Sequence, residues 1–266
     1  MLTVPFSLIE AIESGLFLLP EVAEGLSRIA IPGIEGRLTP VSHPLANIVG
    51  HARLEARQAA MVIDCVMRLF TRDARAFSWR VGPASTPLKL GRHLIAAGME
   101  QMESLSGMVL GDLEIPAPVP LDVRVHEASR ENLAQVVDLI AQGYPAPERL
   151  ATILGSAFLQ PSAQTAPDIS VYLAFVGDSS EPVAVGVSFY FPHRPIVMLG
   201  GAATLAKFRG RGIYQCLIGH RLREAKKRGV ESAVIQAVRT ASAPISRRLG
   251  FQEACEIEVY TWPPTR

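Results

Sequence analysis

The residues best suited to chemistry fall in one short run, Lys207-Phe208-Arg209-Gly210-Arg211-Gly212-Ile213-Tyr214. An apolar segment precedes the run and an amphipathic stretch follows it, so it sits where a strand hands over to a helix. The first turn of a helix has backbone N–H groups without an intrahelical partner, and its dipole favours an anion there. Gly210 and Gly212 let the main chain approach a ligand because no Cβ intervenes. Arg209 and Arg211 add charge-assisted donors. Together these features spell capture of a diphosphate on main-chain amides. A Walker-type loop is excluded because no Gly-Lys-Ser/Thr closes the run, and no G-x-G-x-x-G fingerprint stands near the first strand.

Other reactive groups are scattered. His193, in Phe191-Pro192-His193-Arg194-Pro195, titrates in the range of a base. Cys216 lies one turn into the helix beside arginines, which can lower a thiol pKa. His220 reads as a surface residue on the polar side of that helix. Cys65, Cys216 and Cys255 are odd in number and lack CxxC spacing, which argues against a disulfide framework or a zinc site. They read as reduced, mostly buried thiols.

The elements that must position the loop follow from spacing. Ile196 to Leu205 is an apolar strand interrupted by Gly200-Gly201, a pair that suggests a bulge or close approach of a ligand. After the loop, Tyr214, Leu217, Ile218, Leu222 and Ala225 recur at helical spacing to about Arg228, and Gly229 ends the helix. Strands are predicted at 121–126, 170–176, 182–191 and 232–237, with a last one or two in 251–261. Helices are predicted after Ser129 and over about 147–158. Ser242 is placed as the cap of a short closing helix that holds Pro244 in its first turn and ends at Leu249-Gly250. The first half echoes this order, with a short strand at 46–50, a helix over 54–70 and a strand at 77–81. A helix over 87–97 and a strand at 106–113 complete the echo. Phe77 and Trp79 are expected in the core there. The order suggests a diverged internal repeat. The alternating prolines from Glu114 to Pro120 read as a connector between two domains, 1–115 and 121–266.

Bulk properties agree with a globular protein. The chain has 266 residues, 48% of them hydrophobic and 19% charged, with a formal net charge of +1. Such a balance gives no global electrostatic argument for nucleic acid or membrane partners. The N-terminus lacks a basic region ahead of its short apolar run, which points to a cytoplasmic location.

The second half resembles the GNAT superfamily of N-acyltransferases. Arg209, Gly210, Arg211, Gly212 and Ile213 match that family's acyl-CoA loop, [Q/R]-x-x-G-x-[G/A], with Tyr214 at the final position in place of the small residue. Ser242-Ala243-Pro244-Ile245-Ser246-Arg247-Arg248-Leu249-Gly250-Phe251 resembles its closing helix and Leu-Gly-Phe ending. The first half resembles a degenerate copy, as in tandem members. The resemblance implies an α/β (α+β) fold: a mixed, splayed central sheet flanked by helices, in two GNAT-like domains. It implies that acetyl-CoA lies in the splay, with its pantetheine arm along Ala202, Ala203 and Thr204. The diphosphate would sit on Arg209, Gly210, Arg211, Gly212, Ile213 and Tyr214, and Ser242 would complete the set.

The implied activity is transfer of an acetyl group to a primary amine, small-molecule or protein, by direct attack in a ternary complex. The alternative is a non-catalytic acyl-CoA sensor. No metal is implied, and the expected assembly is a monomer or homodimer. A tyrosine four residues before the Gly of Gly-Phe often serves as acid in this family. Ser246 stands at that position here. Tyr214 and Tyr190 are substitute acids and His193 a candidate base.

Overall fold

The computed structural model describes residues 6–23, 25–114, 122–144, 146–160 and 168–263. From residue 115 onward, the proline connector lies outside them.

The first half contributes α1 (Phe6–Ser14), β1 (Ser27–Arg28), β2 (Glu35–Leu38), β3 (Ile48–Gly50), α2 (Ala56–Thr71), β4 (Phe77–Val81), α3 (Leu90–Ala96) and β5 (Glu100–Leu110). The second half contributes β6 (Val123–Glu127), α4 (Leu133–Gly143), α5 (Glu148–Phe158), β7 (Asp168–Val176), β8 (Ala184–Tyr190) and β9 (Ile196–Thr204). It continues through α6 (Ile213–Lys227), β10 (Ser232–Val238), α7 (Ser242–Arg248) and β11 (Gln252–Trp262). Among the described residues, no helix is long and apolar enough to cross a membrane.

All eleven strands form one sheet, ordered β1-β2-β3-β4-β11-β5-β10-β9-β8-β7-β6. Each half contains one parallel pair, β3 with β4 and β9 with β10, joined through a long helix. A short helix and a final strand follow each pair. The internal echo in the sequence is therefore an echo of architecture. The two final strands are exchanged: β5 lies against β10, and β11 slots between β4 and β5.

Side-chain alternation decides what each face covers. Phe77 and Trp79 of β4 are fully buried beneath α2 and α3, with Tyr260 of β11 in the same cluster. The opposite face of β4 carries Ser78 and Arg80. A second core joins the halves, packing Ile12 and Leu26 with Val136, Ile140 and Phe158.

Ser129 caps as expected, accepting the Glu131 amide at 3.3 Å while Asn132 Oδ1 accepts the Ser129 amide at 3.0 Å. Ser242 does not cap. It is itself the first helical residue, and its hydroxyl accepts the Val238 amide at 2.9 Å, tying α7 to the end of β10.

Candidate active site

β9 and β10 pair only through Ile196↔Ser232, Val197↔Ala233 and Met198↔Val234. Beyond these residues the strands part. The cause is visible on the other edge of β9. Val185 faces Ala203 while Val187 faces Gly200, so β9 holds one residue more than β8 over this step. The extra length is taken up at Gly201, whose φ of +53° suits glycine. A cleft of about 700 Å³ opens between the strands, with Gly200 to Thr204 on one wall and Ile235, Gln236 and Val238 on the other.

The N-terminus of α6 closes one end of the cleft. Gly210 and Gly212 have φ of +74° and +75°, a left-handed conformation that costs other residues about 1–2 kcal/mol. The amides of residues 210–215 donate to no backbone carbonyl of the described residues. They stand free for an anion at the positive end of the helix dipole. A Cβ built on Gly210 meets nothing within 4 Å, so the space over the loop is open.

Ala202, Ala203, Thr204 and Ser242 line this cleft. So do Arg209, Gly210, Gly212, Ile213 and Tyr214. Arg209 also braces the loop, its Nε donating to the Thr204 carbonyl at 3.0 Å. Arg211 is exposed beside the loop, its guanidinium 5.5 Å from the Phe208 ring centre, and does not line the wall. Ser246 is fully buried with an unpartnered hydroxyl, and it too is absent from the lining. His193 is exposed in the β8–β9 turn with φ of +58°, at the end of β9 that stays paired with β10. The geometry gathers the loop and strand residues and leaves His193 and Ser246 apart from them.

Solved structures share this architecture. A GCN5-related N-acetyltransferase from Kribbella flavida superposes with a TM-score of 0.70 at 18% identity, covering 98% of this chain and 96% of that one. The fold is that of the GCN5-related N-acetyltransferases. A second such protein, from Sphaerobacter thermophilus, aligns at TM-score 0.62 and 12% identity over 91% of this chain and 81% of its own. A tandem GNAT protein from the clavulanic acid biosynthesis pathway aligns at TM-score 0.56 and 13% identity, over 100% of this chain and 98% of that one. The tandem arrangement of the GNAT fold is thus shared along the whole chain. No protein-family model matches the sequence, and no curated protein matches it.

Within this GNAT fold, three site residues escaped sequence reasoning. Tyr144, the residue after α4, lines the cleft and donates its hydroxyl to the Ala202 carbonyl at 2.9 Å. Gln236 of β10 donates to the Ile12 carbonyl at 2.7 Å, which leaves its buried Oε1 without a partner. Arg221 of α6 is fully buried beneath the bulge, and its Nη1 donates to the carbonyls of Val187 and Gly200 at 3.1 and 3.3 Å. Its Nη2 has no hydrogen-bond partner. Burial lowers the Arg221 pKa, while the Tyr214 and Tyr144 phenols couple to the same charge. Burial raises the pKa of both phenols and outweighs the lowering effect of Arg221. Both remain protonated, and so able to donate, throughout the neutral range.

Cys216 of α6 is buried, as expected of a structural thiol, and burial raises its pKa, whereas Cys65 is exposed against that expectation. The expectation for His220 is corrected. His220 is half-buried, edge-on to the Tyr172 ring at 5.2 Å between centres, and burial lowers its pKa.

Proposed function

We propose that the protein is an N-acyltransferase that moves an acetyl group from acetyl-CoA to a primary amine by direct attack in a ternary complex. The observation that carries this reading is the junction of a parted strand pair with the free amides at the start of α6. Past Met198, β9 has no strand on its β10 side, so an extended arm can lie along it as an added strand. Small side chains at Ala202 and Ala203 keep that slot clear. The glycine-arginine loop matches a diphosphate in charge and in donor supply. Bound there, acetyl-CoA would supply an activated acyl group as a thioester.

The remaining work falls to the chain. Tyr214, held protonated by burial beside Arg221, is the proton donor. Gln236 lines the cleft, and its buried, unpartnered Oε1 is an acceptor for an N–H of a reactant. No Asp, Glu or His lines the cleft among the described residues. The acceptor amine therefore arrives neutral, and positioning supplies most of the rate. On this reading the acceptor side is the adjoining cavity, to which the first half contributes Arg37, Arg80 and Leu105.

Two measurements test this reading. Calorimetry should detect CoA binding to the wild-type protein and none to Gly212→Glu, whose carboxylate would stand among the amides that the phosphates need. Normal binding by that variant overturns the cleft assignment. Thiol release from acetyl-CoA across a panel of amines then separates enzyme from sensor: tight binding with no release on any amine favours a non-catalytic acyl-CoA sensor.

A further inference from the structure

Behind the cleft lies a second cavity of about 220 Å³. It shares Tyr144, Leu199, Gly200, Gly201 and Gln236 with the cleft, so the two spaces meet where β9 and β10 part. Most of its wall is apolar, with Leu16, Leu45, Ile140, Leu154, Phe158 and Met198 contributing. Two arginines of the first half, Arg37 and Arg80, complete it. The sheet register explains why both point the same way. Arg37 pairs with Ile48 and Ile48 with Ser78, and Arg80 lies two residues beyond Ser78, on the same face of the sheet.

These arginines lack the partners that buried arginines normally have. Arg37 is 9% exposed and donates one hydrogen bond, from Nη2 to the Leu45 carbonyl at 2.6 Å. Its Nε is buried and unpartnered, as is that of Arg80. Neither has an ion-pair partner among the described residues. Burial lowers both pKa values to about 10, and the charge of Arg80 adds to the effect on Arg37. Both stay charged at neutral pH. Among the described residues this apolar chamber is lined by two like charges and no acidic side chain, an arrangement that favours a bound anion. A planar guanidinium with free donors matches a carboxylate.

We propose that this inner cavity is a carboxylate-binding site, by which the protein selects a reactant bearing a carboxylate on an otherwise apolar body. The proposal deepens the acyl-transfer reading and rests on it for the role of that reactant. The carboxylate has two sources, the acceptor amine or the far end of the transferred acyl group.

Calorimetry on the wild-type protein tests the acceptor arm with N-acetyl-L-leucine against its methyl ester, and the acyl arm with succinyl-CoA against acetyl-CoA. At least tenfold tighter binding of the charged member is expected in one pair, and that pair identifies the source. In Arg80→Met, which removes a side chain with no described hydrogen bond, the preference should vanish. CoA, whose cleft Arg80 does not line, should still bind. Equal or undetectable affinities within both pairs overturn the proposal, and this comparison needs no variant to fold. Loss of all CoA binding, with the acid-over-ester preference retained, overturns the acyl-transfer reading and leaves the carboxylate site standing.

Discussion

At the scale of single residues, the pH dependence is set by what the cleft contains and what it lacks. With no carboxylate or imidazole on its described walls, the reaction awaits the neutral form of the acceptor amine. The rate should therefore climb with pH through the amine's own pKa. The Tyr214 proton is held above the usual phenol value of 10.0, so it is not lost over that range. The expected kcat/KM profile rises to about pH 10 with no descending limb. A descending limb near neutrality would assign the acid to another group. Tyr214→Phe should lower kcat about 10²-fold, at the low end for loss of a general acid, with little change in CoA affinity. The loop glycines and Tyr214 were legible because their types and spacing are unusual. Arg221 could have been read as well: it lies seven residues after Tyr214, four after Leu217 and three after Ile218, on the apolar face of α6. Tyr144 and Gln236 carried no signal, since nothing in their local sequence reveals which surface a distant strand will bring to them.

Among the elements, the bulged β9 governs the site. A Cβ at position 201 would stand 2.6 Å from Val187 Cγ2 and 3.2 Å from the Phe158 ring, on a backbone with φ of +53°. Gly201→Ala should therefore destabilise the protein by about 1–3 kcal/mol, read as a lower urea midpoint with an unchanged slope. CoA affinity should fall with it, because the same residue parts β9 from β10. The glycine pair announced this bulge in the sequence. The long apolar elements were legible too, with β4 matching its expected span of 77–81 and α6 and β9 ending within a residue of theirs. β1 and β2, of two and four residues, are too short to carry a periodic pattern. The place of Arg37 in the cavity wall was hidden for that reason, since it sits on β2, while Arg80 lies on the legible β4.

For the whole molecule, the exchanged final strands and a core shared by both halves join the halves mechanically. Calorimetric unfolding should show a single transition with equal calorimetric and van't Hoff enthalpies, and two resolved transitions would contradict the exchange. A fragment of residues 121–266 should fail to give a folded, CoA-binding protein, because it leaves β10 without its β5 neighbour and β11 without either partner. Nothing in the sequence disclosed this pairing; strand partners far apart in the chain leave no local mark. Synthesis gives the exchange a further meaning. β4 and β5 leave the ribosome long before the strand that separates them. Until β11 emerges, the nascent chain displays uncovered strand edges that can pair with a neighbouring polypeptide. Spacing the translating chains apart by a lower rate of initiation should therefore raise the yield of folded protein.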